Sequence, residues 1–254
     1  MQSLIRGPMW NHRLGTYLKL NLGNPPGGGC SWDCVYCPAR SQRRRCGFAS
    51  LDRLLEDLAL SLKNSASLET VMLTGNADPF LHPEFADIVQ GVRELRSKTN
   101  GKWALHCLSN GSTLDRNPVL CACEKLDQLW LKLDCSEERL FRQLNRPSGT
   151  ARSFAEHVEK IKRLSSPAIQ TMLWNCSEAG TMGNWTTENL RGLLELYKVL
   201  KPSRIYLTTM QYRKNGSQMS SVDGAGLQTF ALRVEELGIP VDVNESGLVG
   251  MFSG

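Results

Sequence analysis

No window of this 254-residue chain approaches the roughly 18 apolar residues that a membrane-crossing helix needs. The opening residues, MQSLIRGPMWNHR, hold no apolar run of the kind that marks a secretory leader. A cytoplasmic protein without membrane contact is the expectation. Histidine is scarce: the four present make no HxxxH or HExxH pair, so a zinc hydrolase has no support. The run Gly27–Gly29 lacks the Lys-Ser/Thr that completes a phosphate-binding P-loop. There is no internal repeat, low-complexity tract or linker-like stretch. One domain over residues 1–254 is therefore expected, with 1–15 as a lead-in and 245–254 as a tail.

Hydrophobic residues make up 41% of the chain and charged residues 22%, an ordinary balance for a globular protein of a size that folds without covalent staples. The net charge of +5 is mildly basic, compatible with an anionic substrate or RNA and diagnostic of neither. Nine cysteines are the outlying feature. In a reducing compartment, clustered cysteines more often bind metal or do chemistry than form disulfides.

Apolar runs alternate with amphipathic ones. Strands are expected at Thr16–Leu22, Glu69–Gly75, within KWALHCLSNG, at Gln128–Asp134, Ala168–Asn175 and Arg204–Met210, with a short one in IPVDVN. Helices are expected at Leu51–Asn64 behind Ser50, Pro83–Lys98, NPVLCACEKL, FAEHVEKIKRL, TTENLRGLLELYKVL and GAGLQTFALRVEELG, the last stopped by Gly238. About six β-then-α units imply a parallel sheet with helices outside, either doubly wound or a full or partial barrel.

Cys30, Cys34 and Cys37 lie in GGGCSWDCVYCPAR, directly after the first expected strand. Thiolates are soft ligands that suit iron–sulfur clusters, zinc or copper(I). A structural zinc site wants four ligands, and Cys46 could complete one, giving a non-catalytic metal-binding module. Three cysteines on a [4Fe–4S] cluster would instead leave one iron open to a small chelating molecule.

The pattern C-x3-C-x-Φ-C, with Tyr36 as the aromatic Φ, resembles the motif of the radical S-adenosylmethionine (SAM) superfamily. That resemblance implies an α/β fold, a partial (β/α)6 TIM-like barrel, with one oxygen-sensitive [4Fe–4S] cluster on Cys30, Cys34 and Cys37. It implies an enzyme that cleaves SAM reductively to a 5′-deoxyadenosyl radical, which takes a hydrogen atom from substrate. Relatives carry Gly-Gly-Glu-Pro after the second strand, contacting SAM; here Gly75 leads into Asn76, Ala77, Asp78 and Pro79, with Asp one methylene shorter than Glu. LSNGS resembles the family's Thr-Asn-Gly turn and makes Ser109 and Asn110 SAM-contact candidates. LWLKLDC resembles the fourth strand, where Lys132 and Asp134 share one face. RLFRQLNRPSG resembles a following helix and Asn-Arg-Pro turn. The lead-in, with Arg13, Leu14 and Gly15, resembles that of the wyosine-synthetase-like subgroup, although Asn11 and His12 replace the expected Ser and Arg.

The resemblance also implies an electron donor such as flavodoxin or ferredoxin. Substrate stays open among a small molecule, tRNA and a peptide; a tRNA base, in wyosine-type chemistry, is the alternative that the subgroup suggests. Arg40, Arg43, Arg44 and Arg45 could meet RNA phosphate, an anionic substrate or an acidic electron donor, or be a solvated loop. Trp174, Tyr206, Gln211, Tyr212 and Arg213 lie on or beyond late strands; packing is the expectation for the first two. Cys107, Cys135 and Cys176 fall near strand ends, where a second cluster or a hydrogen-donating thiol is conceivable and packing as small hydrophobes is the expectation.

Overall fold

The computed structural model describes residues 4–23, 29–37, 47–65, 67–148, 153–176, 183–209 and 219–244. The chain forms two compact units, one of residues 1–31 and 38–130, the other of 32–37 and 131–254. Among the described residues no helix is long and apolar enough to cross a membrane.

In the first unit, β1 (Ile5–Asn11) runs antiparallel to β2 (Gly15–Asn21). Parallel pairs then join β2 to β3 (Thr70–Thr74) and β3 to β4 (Ala104–Ser109). Every residue of β3 is buried, as expected of a parallel strand covered on both faces. Helices α1 (Leu51–Lys63) and α2 (Phe85–Lys98) follow β2 and β3. In α2, Phe85, Ile88, Val89 and Val92 are buried at the i, i+3, i+4, i+7 spacing of one apolar stripe. A 3-10 turn at Pro79–Leu81, capped by Asp78, precedes the helix, which begins two residues later than the sequence suggests with Glu84 as its N-cap. Helix α3 (Asn117–Cys123) follows β4.

Strand β1 had no counterpart in the expected pattern. Its register shifts between Arg6 and Met9, which breaks the two-residue alternation that would have revealed it. The sheet is accordingly not wholly parallel. Strand β5 (Gln128–Lys132), two residues shorter than expected, contains the boundary between the units, with Trp130 in the first and Leu131 in the second.

In the second unit, α4 (Glu138–Leu140) runs into a π-helical turn at Phe141–Asn145. Helix α5 (Phe154–Ile161) follows, with a full capping box between Ser153 and Glu156. Strand β6 (Ala168–Cys176) pairs in parallel with β7 (Arg204–Thr209), and β7 with β9 (Val241–Asn244). The end of β6 takes β8 (Met219–Ser221) antiparallel, a second strand absent from the expected pattern. Helices α6 (Thr187–Leu200) and α7 (Gly224–Glu235) start at side-chain caps from Thr186 and Asp223. Helix α7 ends three residues before Gly238.

His157 of α5 is a core residue of this unit. Its ring stacks on Phe141 at 5.5 Å, meets Trp32 edge-on at 5.0 Å, and its Nε2–H donates to the Lys132 carbonyl at 3.1 Å. Nδ1 is buried with no partner among the described residues. Burial lowers the pKa of His157 to about 4, from an ordinary 6.5. The neutral ring is the one the fold accepts, so its contribution is complete above pH 6.5 and is lost as pH falls toward 4. A shift of that size corresponds to about 3 kcal/mol. The stability advantage of the wild-type chain over His157→Gln, measured by urea unfolding, should shrink by about that amount between pH 6.5 and 4.

Candidate functional site

In the first unit the site is built at the ends of β2, β3 and β4. Asn21, the last residue of β2, accepts from Gly23 N at 3.2 Å and Asn76 N at 3.0 Å through Oδ1. The β3 end can meet that side chain only because position 75 has none. Gly75 has φ 149°, and a Cβ there would stand 1.9 Å from Asn21 Oδ1. Asp78 follows, 6% exposed, its N–H donating to the Gly29 carbonyl at 2.7 Å.

The Asp78 carboxylate is occupied by donors of the protein. Oδ1 accepts from Phe80 N at 3.0 Å and Ser109 Oγ at 2.8 Å; Oδ2 accepts from Asn110 N at 2.7 Å. Burial raises its pKa to about 6, against the pull of these hydrogen bonds. The departure from Glu thus has a local account: the short side chain caps the turn after it and ties down the LSNGS turn. In that turn, Asn110 Oδ1 accepts from Ser112 N at 2.9 Å, and Asn110 Nδ2 donates to Ser31 Oγ at 3.1 Å and to Cys30 Sγ at 3.5 Å. Cys30, Asp78, Ser109 and Asn110 are therefore one connected group, and Gly75, Asn76 and Ala77 precede Asp78 in the chain.

In the second unit the group centres on Asp134, 1% exposed. Its Oδ2 accepts from Tyr36 OH and from Asn145 Nδ2, the latter at 3.0 Å. Its Oδ1 accepts from Met172 N at 2.9 Å and forms an ion pair with Lys132 Nζ at 2.9 Å. Lys132 Nζ also stands 5.3 Å from the Tyr36 ring centroid, and that ring meets Trp174 edge-on. Asn145 Nδ2 donates to Cys34 Sγ at 3.6 Å, and its Oδ1 accepts from the Cys135 thiol at 3.6 Å. The segment carrying Cys34 is held by backbone as well: Asp33 N donates to Asn145 O at 3.0 Å and Val35 N to Leu144 O at 2.9 Å. Burial first, then the neighbouring Cys37 and Asp134, pushes the Cys34 thiol up to about 12. Burial, with the Asp134 carboxylate next, holds the Tyr36 hydroxyl well above its usual range.

Asn145 was not singled out from the sequence. Its signal was the Asn-Arg-Pro turn: the π-helical turn ends there, and Arg146 at φ 47° swings the chain back along the cysteine segment. Several residues outside these two groups are packed. His82 is fully buried, its Nε2–H on the Ala49 carbonyl and its Nδ1 accepting from Glu84 N. Trp174 and Tyr206 are buried, as are Cys107 and Cys135, whose thiols burial raises well above their ordinary pKa. Arg40, Arg43, Arg44, Arg45, Cys46, Gln211, Tyr212, Arg213 and the Cys176 side chain lie outside the described residues.

Among the described residues no three His, Cys, Asp or Glu side chains already converge as a metal-holding group. The donor set nonetheless fits an iron–sulfur cluster: three soft thiols, two of them met by buried amide N–H groups, the hydrogen bonds that cluster sulfurs accept. Replacing Asp134 by Ala would strand the Lys132 ammonium and three further donors. Unfolding should become easier by about 3–5 kcal/mol in denaturant titration, while Asp134→Asn, which keeps the shape, should cost less.

The Radical SAM superfamily model matches residues 24–196, more than half of the chain and inclusive of all three motif cysteines. A curated relative, the UPF0026 protein slr1464 of Synechocystis sp., is 24% identical over 269 aligned positions, covering 93% of this chain and 94% of its own length. Among solved structures, a radical SAM methyltransferase from Sphaerobacter thermophilus superposes with TM-score 0.68 at 14% identity, over 93% of this chain and 67% of that one. TYW1 with a lysine-pyruvate adduct bound superposes with TM-score 0.61 at 15% identity, over 88% of this chain and 75% of that one. These structures share the α/β partial-barrel fold with this chain. By the match of its family model, the chain belongs to the radical SAM superfamily and is an enzyme of that class.

Proposed function

We propose that Cys30, Cys34 and Cys37 hold a [4Fe–4S] cluster whose fourth iron takes SAM, and that the enzyme abstracts a hydrogen atom from an organic substrate. When bound, these two groups together supply a 5′-deoxyadenosyl radical. The observation that carries the reading is the motif's thiol set inside the matched family region. The protein's own residues have separable tasks. Gly75, Asn76 and Ala77 offer backbone to SAM, because the Asp78 carboxylate is committed to Ser109, Asn110 and Phe80. Ser109, Asn110, Tyr36, Lys132 and Asp134 are the remaining SAM-contact candidates; the side chains of Asn110 and Asp134 are, like that of Asp78, committed within the protein and serve by holding their neighbours in place, while the Lys132 ammonium offers a charge fixed by its ion pair. Reduction requires an electron donor of the flavodoxin or ferredoxin type.

The wyosine-type alternative, a tRNA base as substrate, rests on the lead-in residues. Those residues also have structural reasons to be there. Arg13 lies over the Trp130 ring at 4.6 Å, Leu14 is buried, and Gly15 has φ 63° with Glu69 packed where a Cβ would go. They therefore carry little information about substrate. A small molecule, a tRNA and a peptide stand as alternatives to be separated by assay.

Anaerobic reconstitution followed by iron and sulfide analysis should find about four irons per chain, lost in Cys34→Ala and retained in Cys46→Ala. A single tetrahedral zinc that depends on Cys46 would support the metal-binding module instead. With reductant and SAM, the loaded enzyme should release 5′-deoxyadenosine, faster when RNA, peptide or metabolite fractions supply the substrate. A fully loaded cluster that never cleaves SAM would sink the proposal.

A further inference from the structure

The C-x3-C-x2-C pattern says nothing about what surrounds each sulfur, yet two of the three are met in the same way. Asn110 Nδ2 lies 3.5 Å from Cys30 Sγ, and Asn145 Nδ2 lies 3.6 Å from Cys34 Sγ. Both amides are buried, at 5% and 1% exposure. Each belongs to a different compact unit, so the two contacts are independent observations.

The orientation of each amide is set by its other partners. Asn110 Oδ1 accepts from Ser112 N at 2.9 Å, so the nitrogen must face Ser31 and Cys30. A flipped Asn145 would set its carbonyl oxygen against the Asp134 carboxylate, which Nδ2 meets at 3.0 Å. The second face of Asn145 is closed by the Cys135 thiol, which donates to Oδ1. Each amide nitrogen has two hydrogens. In Asn110 one serves Ser31 Oγ and the other Cys30; in Asn145 one serves Asp134 and the other Cys34.

We infer that Asn110 and Asn145 set the reduction potential of the cluster by donating N–H hydrogen bonds to two of its ligand sulfurs. The inference rests on the cluster reading above. An N–H dipole aimed at a ligand sulfur favours the state with more negative charge, and reduction adds one electron to the cluster. Removing either donor makes the cluster harder to reduce. Burial strengthens the effect, since no water can replace the lost N–H. Asp78 supports one arm at a distance, because its Oδ2 holds the backbone of Asn110. It is a positioning residue.

The test is a redox titration of the reconstituted wild-type enzyme, Asn110→Leu, Asn145→Leu and the double variant, followed by electron paramagnetic resonance. Leucine keeps the branched shape and removes the N–H. At the wild-type midpoint, the ratio of oxidised to reduced cluster should rise about tenfold in each single variant, a lowering of about 59 mV for a one-electron couple. The double variant should show about a hundredfold rise. Variants with full iron content and an unchanged ratio would overturn the inference. If a leucine variant does not load, the wild-type enzyme carrying 15N-asparagine answers the same question: pulsed resonance of its reduced cluster should show side-chain 15N coupling, and absence of that coupling would overturn the inference. A wild-type chain that takes up no iron refutes the cluster reading itself, a result distinct from both.

Discussion

A buried carboxylate is tolerated only when its lone pairs all meet donors. Asp134 satisfies that demand with Tyr36, Asn145, Met172 and Lys132, and each answer constrains something else. Tyr36 is pinned one residue before Cys37. Asn145 is pinned with a hydrogen left over for Cys34. Met172 ties the group to the middle of β6, and Lys132 is drawn inward from the end of β5. The backbone carbonyl of Asp134 is bound as well, by Asn184 Nδ2 at 2.7 Å. Much of the second unit's polar interior is arranged around this one residue.

Asp78 has the corresponding place in the first unit, by the same logic. Three donors converge on its two oxygens, and one of them is the backbone of the residue that reaches Cys30. Its shortness relative to Glu becomes intelligible as geometry: an Asp folds back on Phe80 N as a cap and still reaches the next strand's turn. The two units thus present the same device twice, a buried aspartate that fixes an asparagine, which in turn meets a motif cysteine.

The order of strands and helices was legible because core faces repeat at fixed periods. The stripe of Phe85, Ile88, Val89 and Val92 and the wholly buried run Thr70–Thr74 are visible in the letters alone. Where the period is interrupted, legibility failed. Strand β1 carries a register shift, and β8 is only three residues long. Ser50 stands before α1 as expected, but its side chain makes no cap hydrogen bond, since the serine type permits a cap without requiring one. Cys107 and Cys135, expected to pack as small hydrophobes, are buried thiols.

The sequence by itself determined the chemistry class. Three thiols at a fixed short spacing, an aromatic residue before the last and a run of β-then-α units depend on neighbouring letters and periodicity, which survive in one dimension. Only the tertiary structure decided what each polar side chain is for. Asp78 and Asn110 are separated by a strand and a helix, and Cys34 and Asn145 by more than 100 residues, so no spacing rule links them. Their pairing follows from the cost of burying an unmatched donor or acceptor, a constraint that acts through space once the chain has closed.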